Sequence, residues 1–124
     1  MNSEDMLKEA IPLMIHEDTR KFIFRKGRNW RQDFIDLGMP PDVGKAWKVM
    51  MTLTKDDEEK HPELDRDGSG ELIYAFQKEM PNGVWAYIKI KIKDYSNTKK
   101  CVSMSFHPCE YGPKAEINKK ILGN

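Results

Sequence analysis

The chain has 124 residues, of which 39% are hydrophobic and 33% charged, and carries a net charge of +1. That length and balance fit one compact domain spanning 1–124 and exclude a disordered chain. No apolar run approaches the roughly 18 residues of a membrane span, and Met1-Asn2-Ser3-Glu4-Asp5 lacks the basic start and apolar stretch of a secretory leader, so a cytoplasmic protein is expected.

In chain order, residues 3–16 read as an amphipathic helix with Ser3 as N-cap and Leu7, Ile11, Leu13 and Met14 on its apolar side. Residues 21–25 alternate as a short strand, and 29–37 as a second helix closed by Leu37-Gly38-Met39-Pro40-Pro41. Asp42 caps a third helix over 42–53, with Val43, Ala46, Trp47, Met50 and Leu53 at helical spacing. Residues 54–71 are polar and turn-rich, and 72–79 resume as a strand. Asn82-Gly83 is the marker of a two-residue hairpin turn into the clearest strand, 84–93, whose partner is 101–107. The tail from 108 to 124 carries a short helix at 114–121. Helices over 1–53 followed by an antiparallel meander over 72–107 predict an α+β fold, with the helices packed on an antiparallel sheet.

Charge is unevenly placed. Basic residues gather in 20–31 and 89–100, acidic ones in 56–71, which can build one positive face on a nearly neutral protein. Cys101 and Cys109 lack a metal-type spacing and read as reduced thiols. His16, His61 and His107 are scattered, and neither a zinc signature nor a nucleotide-binding glycine loop is present, so no metal and no cofactor are expected. Asp65-Arg66-Asp67-Gly68-Ser69-Gly70-Glu71-Leu72 imitates the first eight positions of an EF-hand loop, but the twelfth is Phe76, so the segment reads as an acidic turn.

The chemistry is carried by the strand pair. In 84–93, Val84, Ala86, Ile88, Ile90 and Ile92 point one way, and Trp85, Tyr87, Lys89, Lys91 and Lys93 the other. In 101–107, Val102, Met104 and Phe106 are expected inward, and Ser103, Ser105 and His107 outward. A hairpin then gathers Tyr87, Lys89, Lys91, Ser105 and His107 on one surface. Such a surface suits RNA cleavage without a metal. A 2′-hydroxyl must lose a proton, the leaving 5′-oxygen must gain one, and the phosphoryl charge needs cations. His107 can serve as acid or base, the lysines can hold phosphate, and Tyr87 and Trp85 can stack on unpaired bases. The same face also reads as the wet side of a sheet, kept from aggregating by lysine.

The run Leu37-Gly38, then Leu53-Thr54 with acidic residues and Lys60, then Tyr87-Ile88-Lys89-Ile90, then Val102 to His107 resembles the MqsR family of toxins over residues 20–107. The resemblance implies a RelE-like ribonuclease fold, in which helices pack on a curved antiparallel sheet. It also implies cleavage of messenger RNA and neutralisation by an antitoxin protein. Carried over position by position, it assigns the strand tyrosine to Tyr87, the strand lysine to Lys89, the lysine after the helix-end segment to Lys60, and the terminal basic residue to His107. Gln77 or Tyr74 takes the polar position on the preceding strand. The resulting expectation is an endoribonuclease with His107, Tyr87, Lys89 and Lys60 catalytic and Lys91, Ser105, Gln77 and Trp85 binding single-stranded RNA. Neither DNA nor a membrane is expected as a direct partner. The alternative is a non-catalytic RNA- or protein-binding module on the same fold.

Overall fold

A computed structural model describes residues 1–123. The first helix, α1 (Ser3–Met14), is capped by Asn2, whose side-chain oxygen accepts from the Asp5 N–H at 2.8 Å; Ser3, the expected cap, is buried in the first turn. Its Met6, Leu7, Ala10 and Met14 enter the core. A short strand, β1 (Arg20–Phe22), follows, and then α2 (Trp30–Asp36), capped by Asn29 and burying Phe34. Gly38 ends this helix segment at φ +75, where a Cβ would lie 2.9 Å from the Asn82 side chain, so no other residue fits there without displacing it. Asp42 caps α3 (Val43–Met50) by accepting from the Gly44 N–H at 2.8 Å, and Ala46, Trp47 and Met50 are buried. The expected extension to residue 53 is not helical: Thr54 instead caps a single 3₁₀ turn over Lys55–Asp57.

The sheet has five strands in the order β1-β5-β4-β3-β2. They comprise β2 (Glu58–Leu64), β3 (Leu72–Glu79), β4 (Trp85–Tyr95) and β5 (Thr98–Pro108) in addition to β1. Neighbours from β2 to β5 are antiparallel, but β1 runs parallel to β5, pairing Arg20 with Cys101 and Phe22 with Ser103. The sheet is therefore mixed, which corrects the all-antiparallel expectation. A parallel neighbour is possible here because α2, α3 and the rest of the sheet separate the two strands along the chain. The hairpin between β3 and β4 closes through Pro81-Asn82, with the Gly83 N–H donating to the Met80 carbonyl at 2.8 Å; Gly83 follows the two central residues at φ +88.

One face of the sheet is the core. Ala86, Ile88 and Ile90 of β4 and Phe76 of β3 are fully buried together with Phe34, Trp47 and Met14 of the helices. Burying each such branched or aromatic side chain contributes about 1.5–3 kcal/mol. β5 departs from the expected alternation. Its pairing with β4 jumps from Lys89↔Ser105 to Ile90↔Ser103, so Met104 has no partner and forms a bulge. Before the bulge Cys101 and Ser103 pair with the core-facing Ile92 and Ile90; after it Phe106 faces the core and Ser105 and His107 the opposite side. The sequence expectation for Val102, Met104 and Ser103 is corrected accordingly. The C-terminal α4 (Gly112–Leu122) lies against β4, where buried Asn118 accepts from the Trp85 N–H at 2.7 Å and donates to the Trp85 and Cys109 carbonyls at 2.9 and 3.2 Å.

Candidate nucleic-acid cleft

The register of the three central strands sets the site. Tyr87 stands opposite His107 on one side and Gln77 on the other, and Lys89 stands opposite Ser105. Directly paired residues share a face, so these five side chains point to the same side, away from the core. That side is hollowed into a cleft of about 410 Å³. β2 adds Glu59 and Lys60 to its wall, the segment after β1 adds Arg25 and Arg28, and the turn after β5 adds Cys109, Glu110 and Tyr111.

His107 is held by one nitrogen. Its Nδ1 lies 2.7 Å from the Pro108 carbonyl oxygen, a contact in which only a protonated nitrogen can donate. The same nitrogen is 3.5 Å from a Glu110 carboxylate oxygen, which also accepts from Arg28 at 2.8 Å. Arg28 in turn grips Asp33 by two hydrogen bonds of 3.0 Å. This chain of contacts places the Nδ1 proton and leaves Nε2 as the nitrogen with a lone pair whenever the ring is neutral. Burial lowers the imidazole pKa below its usual value; the Pro108 hydrogen bond and the Glu110 charge oppose the shift, and Arg28 reinforces it. The neutral ring, a proton acceptor, is thus favoured near neutral pH.

Proton donors and cations surround it. The Tyr87 ring sits 5.6 Å from the imidazole, and burial raises its hydroxyl pKa against the opposing pull of Lys60, so the phenol keeps its proton. Lys60 pairs with Glu63 at 3.0 Å, which raises its pKa and keeps it charged. Lys89 leans over the Tyr87 ring, its Nζ 5.8 Å from the centroid. Ser105 is buried in the floor. The Cys109 thiol lines the cleft, but burial pushes it up to about 11, so it is not a thiolate at neutral pH.

Two sequence-selected residues stand apart. Lys91 shares the strand face but is not a free cation: the residue is only 4% exposed, and its Nζ donates to Asp65, Asp67 and Glu71 at 2.6, 3.1 and 3.0 Å. The loop that imitates a calcium site has wrapped around this ammonium, with carboxylates from its first, third and seventh positions. The role of Lys91 in holding RNA is corrected to a structural one. Trp85 lies outside the cleft, its ring covered by the Lys114 ammonium at 3.7 Å from the centroid, so it offers no open platform to a base. Conversely, sequence reading passed over Glu59, Glu110 and the individual roles of Arg25 and Arg28. Only the basic run 20–31 hinted at the arginines, and nothing local marks Glu110 as the neighbour of His107 except its spacing of three residues.

Among the described residues, no group of three or more His, Cys, Asp and Glu side chains is placed to hold a metal ion. No helix of the described residues is long and apolar enough to cross a membrane. Comparison of the chain with protein-family models, curated proteins and solved structures gives no match.

Proposed function

We propose that this chain is a metal-independent endoribonuclease of the RelE-like kind. It would cut messenger RNA in the cytoplasm by attack of the 2′-hydroxyl on the adjacent phosphorus. The observation that carries the reading is the anchored histidine: His107, fixed through Nδ1 in a cationic cleft, has a single nitrogen left to accept a proton. In the proposed reaction Nε2 takes the 2′-hydroxyl proton, the 2′-oxygen bonds to phosphorus, and the bond to the 5′-oxygen breaks. Tyr87 delivers the proton that the leaving oxygen needs. Lys89 and Lys60 offset the charge growing on the phosphoryl oxygens, and Gln77 and Ser105 hold the sugar–phosphate in place. Helices on one face of the sheet and an open basic cleft on the other support the RelE-like assignment. A free nuclease harms its host, so a protein antitoxin with acidic side chains is the expected cover for the cleft.

The test is incubation of the protein with a long messenger RNA in EDTA, followed by end mapping. Expected are 2′,3′-cyclic phosphate and 5′-hydroxyl ends, and a rate lowered by roughly 10²–10⁴-fold in His107→Ala. Cleavage seen only with a divalent metal would refute the mechanism. Equal bacterial growth on expressing wild type and His107→Ala would instead favour a non-catalytic binding module.

A further inference from the structure

Beside the cleft, at the free end of β1, lies an aromatic surface that the catalytic reading does not use. β1 stops at Phe22, opposite Ser103, and the following segment runs past Ser105 and His107. Phe24 is 53% exposed although it is a large apolar side chain. Its ring is backed by Phe22 at 5.1 Å and Trp30 at 5.2 Å, so it is held in place from behind with its outer side in water. Trp30 is itself fixed, with Phe34 at 5.2 Å and the Arg31 guanidinium 4.5 Å from its centroid. A shallow hollow lined by Phe24 and Trp30 shares Arg25, Arg28, Ser105 and His107 with the wall of the cleft, so the two are continuous.

Asp33 also lines the hollow, but it is held by Arg28, and the charge left over around the shelf is positive. Arg28 is committed to Asp33 and Glu110, but Arg25, Lys26 and Arg31 make no ion pair among the described residues. Gly27, at φ +86, closes a turn in which the Arg28 N–H donates to the Arg25 carbonyl at 3.2 Å, fixing the backbone that carries these cations. A rigid exposed aromatic flanked by unpaired cations fits a strand of alternating bases and phosphates better than an apolar protein segment.

We propose that Phe24, supported by Trp30, is a stacking subsite for one unpaired base of single-stranded RNA just beyond the two nucleotides that flank the scissile bond, with Arg25 and Lys26 on the phosphates around that base. The proposal rests on the nuclease reading for the direction of the chain but not for binding itself. The experiment uses a single-stranded oligonucleotide carrying 2′-O-methyl groups throughout, which cannot be cut by 2′-hydroxyl attack. Its affinity is measured by fluorescence anisotropy over a salt series. Phe24→Ala should weaken binding by about tenfold with an unchanged salt slope, and Phe24→Tyr should restore it. Arg25→Ala should flatten the slope by about 0.7 log units per log unit of salt, the signature of one lost phosphate contact. Phe24 is more than half exposed, so the Ala variant should remain folded at the assay temperature, as its melting curve checks.

A Phe24→Ala variant that binds as tightly as wild type overturns the shelf. If in addition wild type self-associates and Phe24→Ala does not, the surface is an interface between copies, and the proposal falls as well. The nuclease reading is tested apart from this, by cleavage of a dinucleotide too short to reach the shelf. Cleavage of the dinucleotide with Phe24-independent oligonucleotide binding removes only the shelf. Phe24-dependent binding without cleavage of any RNA leaves the shelf standing and removes the catalysis.

Discussion

At the scale of single residues, Lys91 shows how a side chain with the right identity and the right strand face can still be withheld from solvent. Burial alone pulls an ammonium pKa down, but the hydrogen bonds that Lys91 donates to Asp65, Glu71 and Asp67 outweigh it and raise that of Lys91, so the charge is held at all ordinary pH. Removing it leaves three carboxylates facing one another with no counter-charge. Lys91→Ala is therefore expected to cost roughly 3 kcal/mol, read from urea denaturation, far more than an exposed lysine would. Lys89→Ala should behave oppositely, retaining stability within about 0.5 kcal/mol while flattening the salt dependence of RNA binding. Equal melts for the two variants would mean that the acidic loop does not hold Lys91 in solution. The sequence shows both lysines in the same alternating strand and shows the acidic loop, but their meeting is a tertiary event, 20–26 residues apart, that no local pattern announces. Tyr87, Lys89, Ser105 and His107 were legible because strand alternation alone brings them together.

Elements differ in legibility for similar reasons. β4 was readable because five apolar residues alternate with polar ones over a half-buried surface. β2 was not, since Glu-Glu-Lys-His-Pro-Glu-Leu has no apolar face; it is an edge strand in which charge and Pro62 discourage further pairing. The bulge at Met104 was invisible too, because its cause is the need to turn Cys101 to the helices and His107 to the cleft within one strand. The C-terminal helix has a poorly segregated apolar face, and its attachment depends on one amide. Asn118→Ala leaves the buried Trp85 N–H without its acceptor, at a cost of about 1–3 kcal/mol. Asn118→Asp should be worse, because a carboxylate cannot donate to the Trp85 and Cys109 carbonyls. Thermal or urea melts of the two variants check the order; equal stability of all three proteins would mean that α4 is not held by this residue.

The molecule as a whole should lose stability to acid in two stages. His107 has a lowered pKa when folded, so its contribution is fully present above the usual imidazole value of 6.5 and is lost as pH falls through that value to the lower folded one. Asp65, Asp67 and Glu71 are all held below the ordinary carboxylate range: Asp65 chiefly by Lys91, Asp67 chiefly by Ser69, and Glu71 by the Asp94 N–H and Lys91 despite its burial. Their contribution is present above the unfolded values near 4 and disappears as pH falls further. Unfolding free energy measured from pH 8 to pH 3 should therefore decline first in the weakly acidic range and again below about pH 4. His107→Gln should remove the first decline and leave the second. A single acid step, identical in both proteins, would contradict the buried, neutral state of the ring.

The parallel strand also has a bearing on when the protein can come into being. Arg20 pairs with Cys101 and Phe22 with Ser103, whereas β2 to β5 form neighbouring hairpins. Closing a loop of about 80 residues carries more entropy than closing any hairpin, so β1 is placed to dock after the meander has formed. Arg25 and Arg28, and with them the support for Glu110 beside His107, follow directly on that strand. On a ribosome, residues 20–28 emerge early but must wait for residue 103 before they have a strand to pair with. The cleft therefore cannot be assembled on a short nascent chain, and whatever chemistry it performs is withheld until synthesis has passed β5.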